Sequence, residues 1–266
     1  MNRIPEAFRA GKAFIPYITG GDPDLETTEK LIYTLTKAGA DAIEIGIPFS
    51  DPAAEGPVIQ AANQRALEAG CTAEKLLDLV ARIRTNITIP LLFMTYYNPV
   101  FVYGVSKFTN KCAAVGIDGL IVPDLPLEER DELLEPCISN ELELISLIAP
   151  TSAARMKKIA TNSGGFLYCV SSMGVTGERH EIDSSARHMI EQIKKVTDTP
   201  CAVGFGISTP EQAHSMAAFA DGVIVGSAIV RTATESGKNC EEAVLRFAKS
   251  IKQAISNQGE VATRKV

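Results

Sequence analysis

Short apolar segments alternate with amphipathic ones along nearly the whole chain, and one junction pattern recurs between them. A segment of helical period ends in small residues, and an Asp, a short apolar run and then Gly or Pro follow it. Gly near a helix end before a short apolar run is typical of the joint between a helix and the next strand of a parallel sheet. The three clearest copies of this joint lie at 38–46, 115–123 and 219–226.

The remaining apolar runs complete a set of eight predicted strands, and amphipathic segments such as 25–38, 127–140 and 184–197 separate nearly all of them. Eight alternations in a chain of 266 residues favour an α/β fold with a closed (β/α)8 barrel, the TIM barrel, over an open doubly wound sheet. The predicted strands lie near 13–18, 42–46, 90–94, 119–122, 142–148, 165–170, 200–203 and 221–225.

Two further helices depart from the regular alternation. The first, at 4–10, is placed to plug the bottom of the barrel, and the second, at 227–235, precedes the longer helix 240–257. Because no linker or low-complexity stretch interrupts the chain, we expect one barrel domain over residues 1–257, with 258–266 as a frayed polar tail.

Composition narrows the possible partners and the compartment. Apolar residues make up 45% of the chain, and the net charge of −6 argues against nucleic acid or an anionic membrane as the main partner. Six cysteines without a C-x-x-C pair, together with only three histidines, predict buried reduced thiols and no metal site. Neither a signal peptide nor a membrane span is apparent, so a cytoplasmic location is expected.

The junction after the second strand carries the first candidate chemistry, because functional groups of barrels cluster where strands end. Ile43 and Ile45 share one face of that strand, so Glu44 points into the barrel if the isoleucines pack against helices. The loop that follows adds Asp51 and Glu55. Two carboxylates in different environments can divide the acid and base roles, although acidic loop residues are also common on solvated surfaces.

The junctions after strands six, seven and eight predict a lid and a phosphate site. Small residues dominate the segment from Ser171 to Glu178, which suits a loop that closes over a ligand. Gly204 and Gly206 follow strand seven, and Gly226-Ser227 open a helix after strand eight. Glycine amides and a helix N-terminus favour an anion, and many barrels bind phosphate there.

Aromatic residues near the same end either wall a flat apolar substrate or simply pack in the core, and the sequence leaves both readings open. These residues are Tyr17, Phe49, Tyr96, Tyr97 and Phe205.

Taken together, these junctions resemble the tryptophan synthase α subunit family over the chain up to about residue 255. Six segments carry the resemblance in order: GDP at 21–23, IPFSDP at 47–52, AEGPVIQ at 54–60, GVTG at 174–177, GFGIS at 204–208 and GSAIV at 226–230.

The resemblance implies a lyase of tryptophan biosynthesis that cleaves indole-3-glycerol phosphate to indole and glyceraldehyde 3-phosphate. Glu44 then corresponds to the main acid/base, which protonates indole C3 and assists removal of the side-chain hydroxyl proton. Glu55 stands where the family usually has Asp, and it holds the indole N–H. Tyr168 matches a tyrosine near the reacting side chain. On this basis we expect Glu55→Asp to keep activity near or above the starting level.

Other positions follow from the same resemblance. Thr176 matches a lid threonine that orders the acidic loop. Phosphate contacts fall on Gly177, Gly206, Gly226 and Ser227, and the indole pocket falls on Tyr17, Phe49 and Phe205.

The resemblance also implies a partner. The family works as an α2β2 complex in which the β subunit carries pyridoxal phosphate and receives indole through a tunnel. No cofactor is therefore expected in this chain, and Asp51, Asn98 and Pro99 match positions at the α–β contact.

Two alternatives remain at this stage. One is another phosphate-binding barrel, such as a sugar-phosphate isomerase or epimerase, although a metal-dependent epimerase needs histidine ligands at strand ends. The other is a non-catalytic barrel that only activates a partner, against which Glu44 and Glu55 speak.

Overall fold

A computed structural model describes residues 2–150, 152–170, 179–204 and 206–256. For residues 179–183 it describes the backbone only. Eight parallel strands close into a barrel in chain order, β1 pairing with both β2 and β8. The predicted (β/α)8 barrel is thus confirmed, and each strand lies within two residues of its predicted segment. The strands are β1 Ala13–Thr19, β2 Ile43–Gly46, β3 Leu91–Met94, β4 Gly119–Ile121, β5 Glu143–Ile148, β6 Leu167–Val170, β7 Cys201–Gly204 and β8 Gly222–Val225.

Helices surround the barrel, and several begin at residues that cap them. The Asp24 side chain accepts the Thr27 N–H at 2.7 Å, and Thr209 with Gln212 forms a reciprocal capping box. The helices are α1 Ile4–Ala7, α2 Leu25–Lys37, α3 Pro57–Glu68, α4 Ala73–Ile83, α5 Tyr97–Tyr103, α6 Val105–Val115, α7 Asp131–Ser139, α8 Ala153–Thr161, α9 Arg179–Ile193, α10 Pro210–Ala217, α11 Ser227–Ser236 and α12 Cys240–Ser256.

One predicted helix is shorter than its sequence pattern indicated. The segment 127–140 becomes helical only at Asp131, and residues 127–130 form turns. Leu133 and Cys137, four residues apart, form its buried face. The helical pattern of 127–140 groups Ile138 on one face with Leu133 and Leu134. That expectation was wrong, because Ile138 lies one residue, or about 100° of helix, beyond Cys137 and is 66% exposed.

The Asp of the recurring joint has a specific structural role in all three copies. Each Asp donates its N–H to the carbonyl of a residue at the start of the preceding strand, at 2.8 to 2.9 Å, and accepts that residue's N–H on its carboxylate, at 2.6 to 2.9 Å. These two hydrogen bonds to one residue fix the register between neighbouring strands. The pairs are Asp41 with Phe14, Asp118 with Leu91, and Asp221 with Cys201.

Basic residues from the surrounding elements complete these joints. Lys252 contacts Asp41 at 2.6 Å, Arg84 contacts Asp118 at 3.2 Å, and Lys194 contacts Asp221 at 2.8 Å. The charges of these carboxylates at the N-terminal end of the barrel are therefore compensated, which a partly buried carboxylate requires.

The N-terminal segment closes this same end, as expected from the sequence. Its helix covers Ile4–Ala7, shorter than the predicted 4–10, and the 1% exposed Ile4 packs in the barrel interior with Leu92 and Phe166. The extra helix after β8 is also present, as α11. The predicted tail 258–266 lies outside the described residues.

All six cysteines are buried free thiols, as predicted. Within the described ranges, no helix combines the length and the apolar character needed to cross a membrane.

Candidate active site

Glu44 lies at the centre of the C-terminal end of the barrel and is completely buried. Its register, opposite Tyr17 on β1 and Leu92 on β3, directs it inward as the alternation predicted. Neither carboxylate oxygen has a hydrogen-bond partner among the described residues. Burial, with a smaller contribution from the charge of Glu55, raises the pKa of Glu44 to about 8. This side chain is therefore a neutral carboxylic acid near neutral pH.

Glu55 is the second carboxylate at this end, and it lies in the loop that leads into α3. It is half-buried, and its Oε2 is buried without a partner in the part of the chain that the structure describes. Burial raises its pKa, whereas the nearby Tyr96 hydroxyl opposes that rise. Gln60 donates to the Glu55 carbonyl at 2.8 Å, which anchors the backbone at the start of α3.

Two buried tyrosines flank Glu44, and each lies over an interior glycine of a neighbouring strand. The Tyr17 ring covers Gly46, where a Cβ would collide with the Tyr17 hydroxyl. The Tyr168 ring covers Gly204, where a Cβ would lie 2.7 Å from the hydroxyl. Burial raises the pKa of both phenols above the usual value, so both hydroxyls stay protonated. Because Gly46 and Gly204 have no side chains, two tyrosine rings fit across the barrel mouth.

Thr19 joins this group and was not singled out from the sequence. It is 4% exposed, and its hydroxyl lies 3.3 Å from that of Tyr17. Two residues apart on β1, the two side chains share the inward face, so strand alternation is the signal that identifies Thr19.

Phe49 and Tyr96 form the wall next to the acidic loop. Their ring centroids lie 5.3 Å apart, Phe49 is half-buried and Tyr96 is 3% exposed. The Tyr96 hydroxyl also accepts the Ala54 N–H at 2.8 Å. The sequence left Tyr96 as either wall or core, and its polar contact with the loop appears only in three dimensions.

The predicted phosphate contacts lie where β7 and β8 end. Gly206 has φ +74°, a left-handed conformation that suits glycine, and it is exposed. Gly226 caps the start of α11, and Ser227 is its first residue. Because the first N–H groups of a helix have no intrahelical acceptor, this terminus suits an anion. Thr176, Gly177 and Phe205 lie outside the described residues.

The predicted partner contacts form an accessible surface beside the mouth. Asp51 and Asn98 are exposed and Pro99 is partly exposed. Phe101 and Val102, in the same helix as Asn98, are 60% and 77% exposed. Apolar side chains this exposed and adjacent mark a surface suited to protein contact.

The opposite end of the barrel also has a cavity, of about 760 Å³. Three lysines line it, yet each ammonium already contacts an oxygen: Lys12 the Ala220 carbonyl, Lys194 Asp221, and Lys252 Asp41. Barrel enzymes act at the C-terminal ends of their strands, so the mouth with Glu44 is the candidate site. Among the described residues, no three His, Cys, Asp or Glu side chains are grouped to hold a metal ion.

Comparison with protein families gives one match over nearly the whole chain. Residues 6–258 match the family model described as "Tryptophan synthase alpha chain". The tryptophan synthase alpha chain of Lacticaseibacillus casei is 44% identical over 264 residues, covering 99% of both chains. That of Alkaliphilus metalliredigens is 49% identical over 242 residues, covering 91% of each.

Solved structures agree with this match. The crystal structure of tryptophan synthase subunit alpha from Legionella pneumophila str. Paris superposes with a TM-score of 0.89 at 39% identity. The superposition covers 97% of this chain and 99% of the Legionella chain.

Proposed function

Because the chain belongs to the tryptophan synthase alpha chain family, we propose that the mouth of its barrel cleaves indole-3-glycerol phosphate to indole and glyceraldehyde 3-phosphate. The chain is thus a lyase of tryptophan biosynthesis, and one barrel domain over residues 1–257 carries the activity. The observation that supports the chemistry most directly is Glu44, a buried carboxyl group that is neutral near pH 7 because its pKa is raised to about 8.

In this reaction Glu44 acts first as the acid. Its proton goes to indole C3, and positive charge develops on the ring nitrogen. Glu55 accepts a hydrogen bond from the indole N–H and stabilises that charge. This role requires the ionised form of Glu55. The Glu44 carboxylate then takes the proton of the side-chain hydroxyl. The oxygen forms the aldehyde carbonyl, the C–C bond breaks, and its electrons restore the indole ring. Glu44 ends protonated, as it began.

The remaining side chains hold the substrate for this step. Tyr168 lies beside Glu44 near the reacting side chain, and Tyr17, Phe49 and Phe205 enclose the indole ring. The phosphate binds at Gly177, Gly206, Gly226 and Ser227, with Thr176 ordering the acidic loop. The geometry of Gly206 and of the α11 N-terminus supports the phosphate assignment.

The family name implies a complex with a β subunit, and we propose an α2β2 assembly in which the partner holds pyridoxal phosphate and receives indole. Asp51, Asn98 and Pro99 form the contact, and the exposed Phe101 supports this placement. The six buried thiols support a cytoplasmic, reducing location.

An indole-release assay with the purified chain tests the function, with and without a β subunit. We expect release in both conditions, and Glu44→Gln should abolish it because Gln cannot donate the proton, an effect of about a hundredfold or more. Binding of the Glu44→Gln variant to the β subunit should be unchanged. An inactive wild-type protein in both conditions would instead support a non-catalytic barrel.

The partner surface has its own test. Phe101→Ser should weaken binding to the β subunit, measured by calorimetry, because it removes exposed apolar area next to the proposed contact. Ile138→Ser is the matched control, since Ile138 is similarly exposed at 66% but lies near the end of α7, away from the mouth. Equal losses in both variants would contradict the proposed surface.

A further inference from the structure

Two helices carry the two ends of the proposed site. The loop with Glu55 leads directly into α3, where Gln60 in the first turn donates to the Glu55 carbonyl at 2.8 Å. The N-terminus of α11, which begins at Ser227, is the proposed phosphate site. The position of Glu55 therefore depends on α3, and the position of the phosphate site depends on α11.

The two helices meet beside the Tyr17 ring. Ala62 of α3 is completely buried, Val230 of α11 is 3% exposed, and both belong to the apolar cluster that contains Tyr17. Apolar contact is non-directional, so by itself it specifies the relative position of two helices less sharply than a charged hydrogen bond does.

Arg65 supplies a directional contact one helical turn further along. It follows Ala62 by three residues, and Thr234 follows Val230 by four. The Arg65 Nε and Nη2 atoms donate to the two carboxylate oxygens of Asp22, both at 2.8 Å, and Nη2 also donates to the Thr234 hydroxyl at 3.0 Å. One guanidinium thereby joins α3, α11 and the loop that follows β1.

Both partners of Arg65 are themselves held in place. The Asp22 side chain is 9% exposed, and its backbone N–H donates to the Thr19 carbonyl at the end of β1, at 3.3 Å. The Thr234 hydroxyl donates its own proton to the Val230 carbonyl at 2.9 Å, which leaves its lone pairs for Arg65. Because the guanidinium is planar and binds the carboxylate through two parallel bonds, a shift of either helix would break hydrogen bonds.

We propose that Arg65 is a positioning residue, which sets the distance between Glu55 at the start of α3 and the phosphate site on α11. A substrate with an indole ring at one end and a phosphate at the other must reach both at once, and a misplacement of about 1 Å is costly in catalysis. This inference rests on the proposed function, because it assigns the geometry of the same site.

The first experiment is Arg65→Lys, which keeps the positive charge and removes the planar fork. The kcat/KM for indole-3-glycerol phosphate should fall about tenfold to a hundredfold, because the two ends of the site no longer match the substrate. Arg82→Lys is the matched control. Arg82 of α4 also joins two helices, through Glu29 of α2 at 2.5 Å, but it lies two residues before Arg84, whose partner Asp118 is at the opposite end of the barrel. Its kcat/KM should be unchanged.

Product inhibition separates positioning from a structural role. Indole occupies only one end of the proposed site and glyceraldehyde 3-phosphate only the other, so neither product spans the two helices. Arg65→Lys should therefore change the inhibition constant of each product by less than about twofold, although kcat/KM for the whole substrate falls at least about tenfold. Each constant is measured while release of the other product is followed. Losses of product binding as large as the loss in kcat/KM would overturn the proposal, because they would indicate general damage to the site.

Thr234→Val tests the hydrogen bond to α11 alone. It replaces the hydroxyl with a methyl group and leaves the pair between Arg65 and Asp22 intact, so the test remains available if Arg65→Lys does not fold. The kcat/KM should fall about threefold to tenfold, again with little change in product inhibition. Adding Thr234→Val to Arg65→Lys should lower kcat/KM by less than about twofold more, since both remove the same link.

Independent, multiplying losses in the double variant would overturn the inference. If the wild-type chain releases no indole, the proposed function fails. If wild type is active and both Arg65→Lys and Thr234→Val equal it, only the positioning role fails.

Discussion

At the scale of single residues, burial determines the acidity of Glu44. A carboxylate buried without a partner is destabilised relative to the neutral acid, and its pKa of about 8 expresses that difference. Glu55 differs because it is only half-buried, and the nearby Tyr96 hydroxyl opposes the rise in its pKa that burial causes. Two carboxyl groups in one mouth thus have different environments, which suits the different roles proposed for them.

We predict that kcat/KM falls as the pH rises through about 8, because Glu44 then loses the proton that it must donate. Stability should follow the same group. Its pKa is raised from the ordinary value of 4.5 to about 8 on folding, so the contribution of Glu44 to stability is fully present below pH 4.5 and is lost as the pH rises through 8. Urea unfolding of wild type and Glu44→Gln across this range checks this. A parallel pH dependence in the two proteins would contradict the assignment.

Glu55 is the site position at which this chain departs from the residue usual in the family. From the family resemblance, Glu55→Asp is expected to keep its activity, since Asp is the usual residue, and the indole-release assay measures this.

At the scale of elements, glycines on the strands set the shape of the mouth. Gly46 on β2 and Gly204 on β7 each leave room for a tyrosine from a neighbouring strand. The inward face of a parallel barrel strand is otherwise filled by side chains in layers. Omitting two of them at the top layer lets the Tyr17 and Tyr168 rings lie across the opening beside Glu44.

We therefore predict that Gly46→Ala reduces activity by displacing the Tyr17 ring, since the new Cβ collides first with the Tyr17 hydroxyl. Overpacking of this kind costs about 1–3 kcal/mol of stability. The second substitution Tyr17→Phe removes the colliding atom and should recover part of both stability and kcat, measured by urea unfolding and indole release. No recovery in the double variant would mean that the backbone, not the ring, had moved.

At the scale of the whole molecule, the two ends of the barrel are built for different purposes. The N-terminal end has compensated charges, with the joint residues Asp41, Asp118 and Asp221 each paired with a basic side chain, and the α1 segment closes it. The C-terminal end instead contains Glu44, a buried polar group without a hydrogen-bond partner in the part of the chain that the structure describes. Stability and chemistry are thus located at opposite ends, as is usual for this fold.

The N-terminal plug gives a prediction for the whole fold. Ile4→Ala should lower the unfolding free energy by about 2–5 kcal/mol, because it leaves a cavity in the barrel interior next to Leu92 and Gly119. Arg9→Ala in the same segment should change it by less than about 0.5 kcal/mol, since its ion pair with Glu6 is exposed. Urea denaturation measures both, and a loss with Arg9→Ala equal to that with Ile4→Ala would contradict the plug.

The sequence by itself determined the barrel, its eight strands and the inward direction of Glu44. These features depend on local periodicity, on glycine at helix ends and on strand alternation. Each of these can be recognised from residues that are close together in the chain. The shorter α7 was missed because a helical pattern continued across residues 127–130, which form turns. Ile138 was missed because it lies one residue beyond the buried face of that helix at Cys137.

Tertiary structure alone decided the contacts between residues that are distant in the chain. The bond between Tyr96 and the loop at Ala54, the Tyr17 ring over Gly46, and the pairing of each joint Asp with the preceding strand all join separate elements. The raised pKa of Glu44 belongs to this group as well, because desolvation depends on every element packed around the carboxyl group. Local pattern fixes which residues face inward, but only packing fixes which atoms meet there.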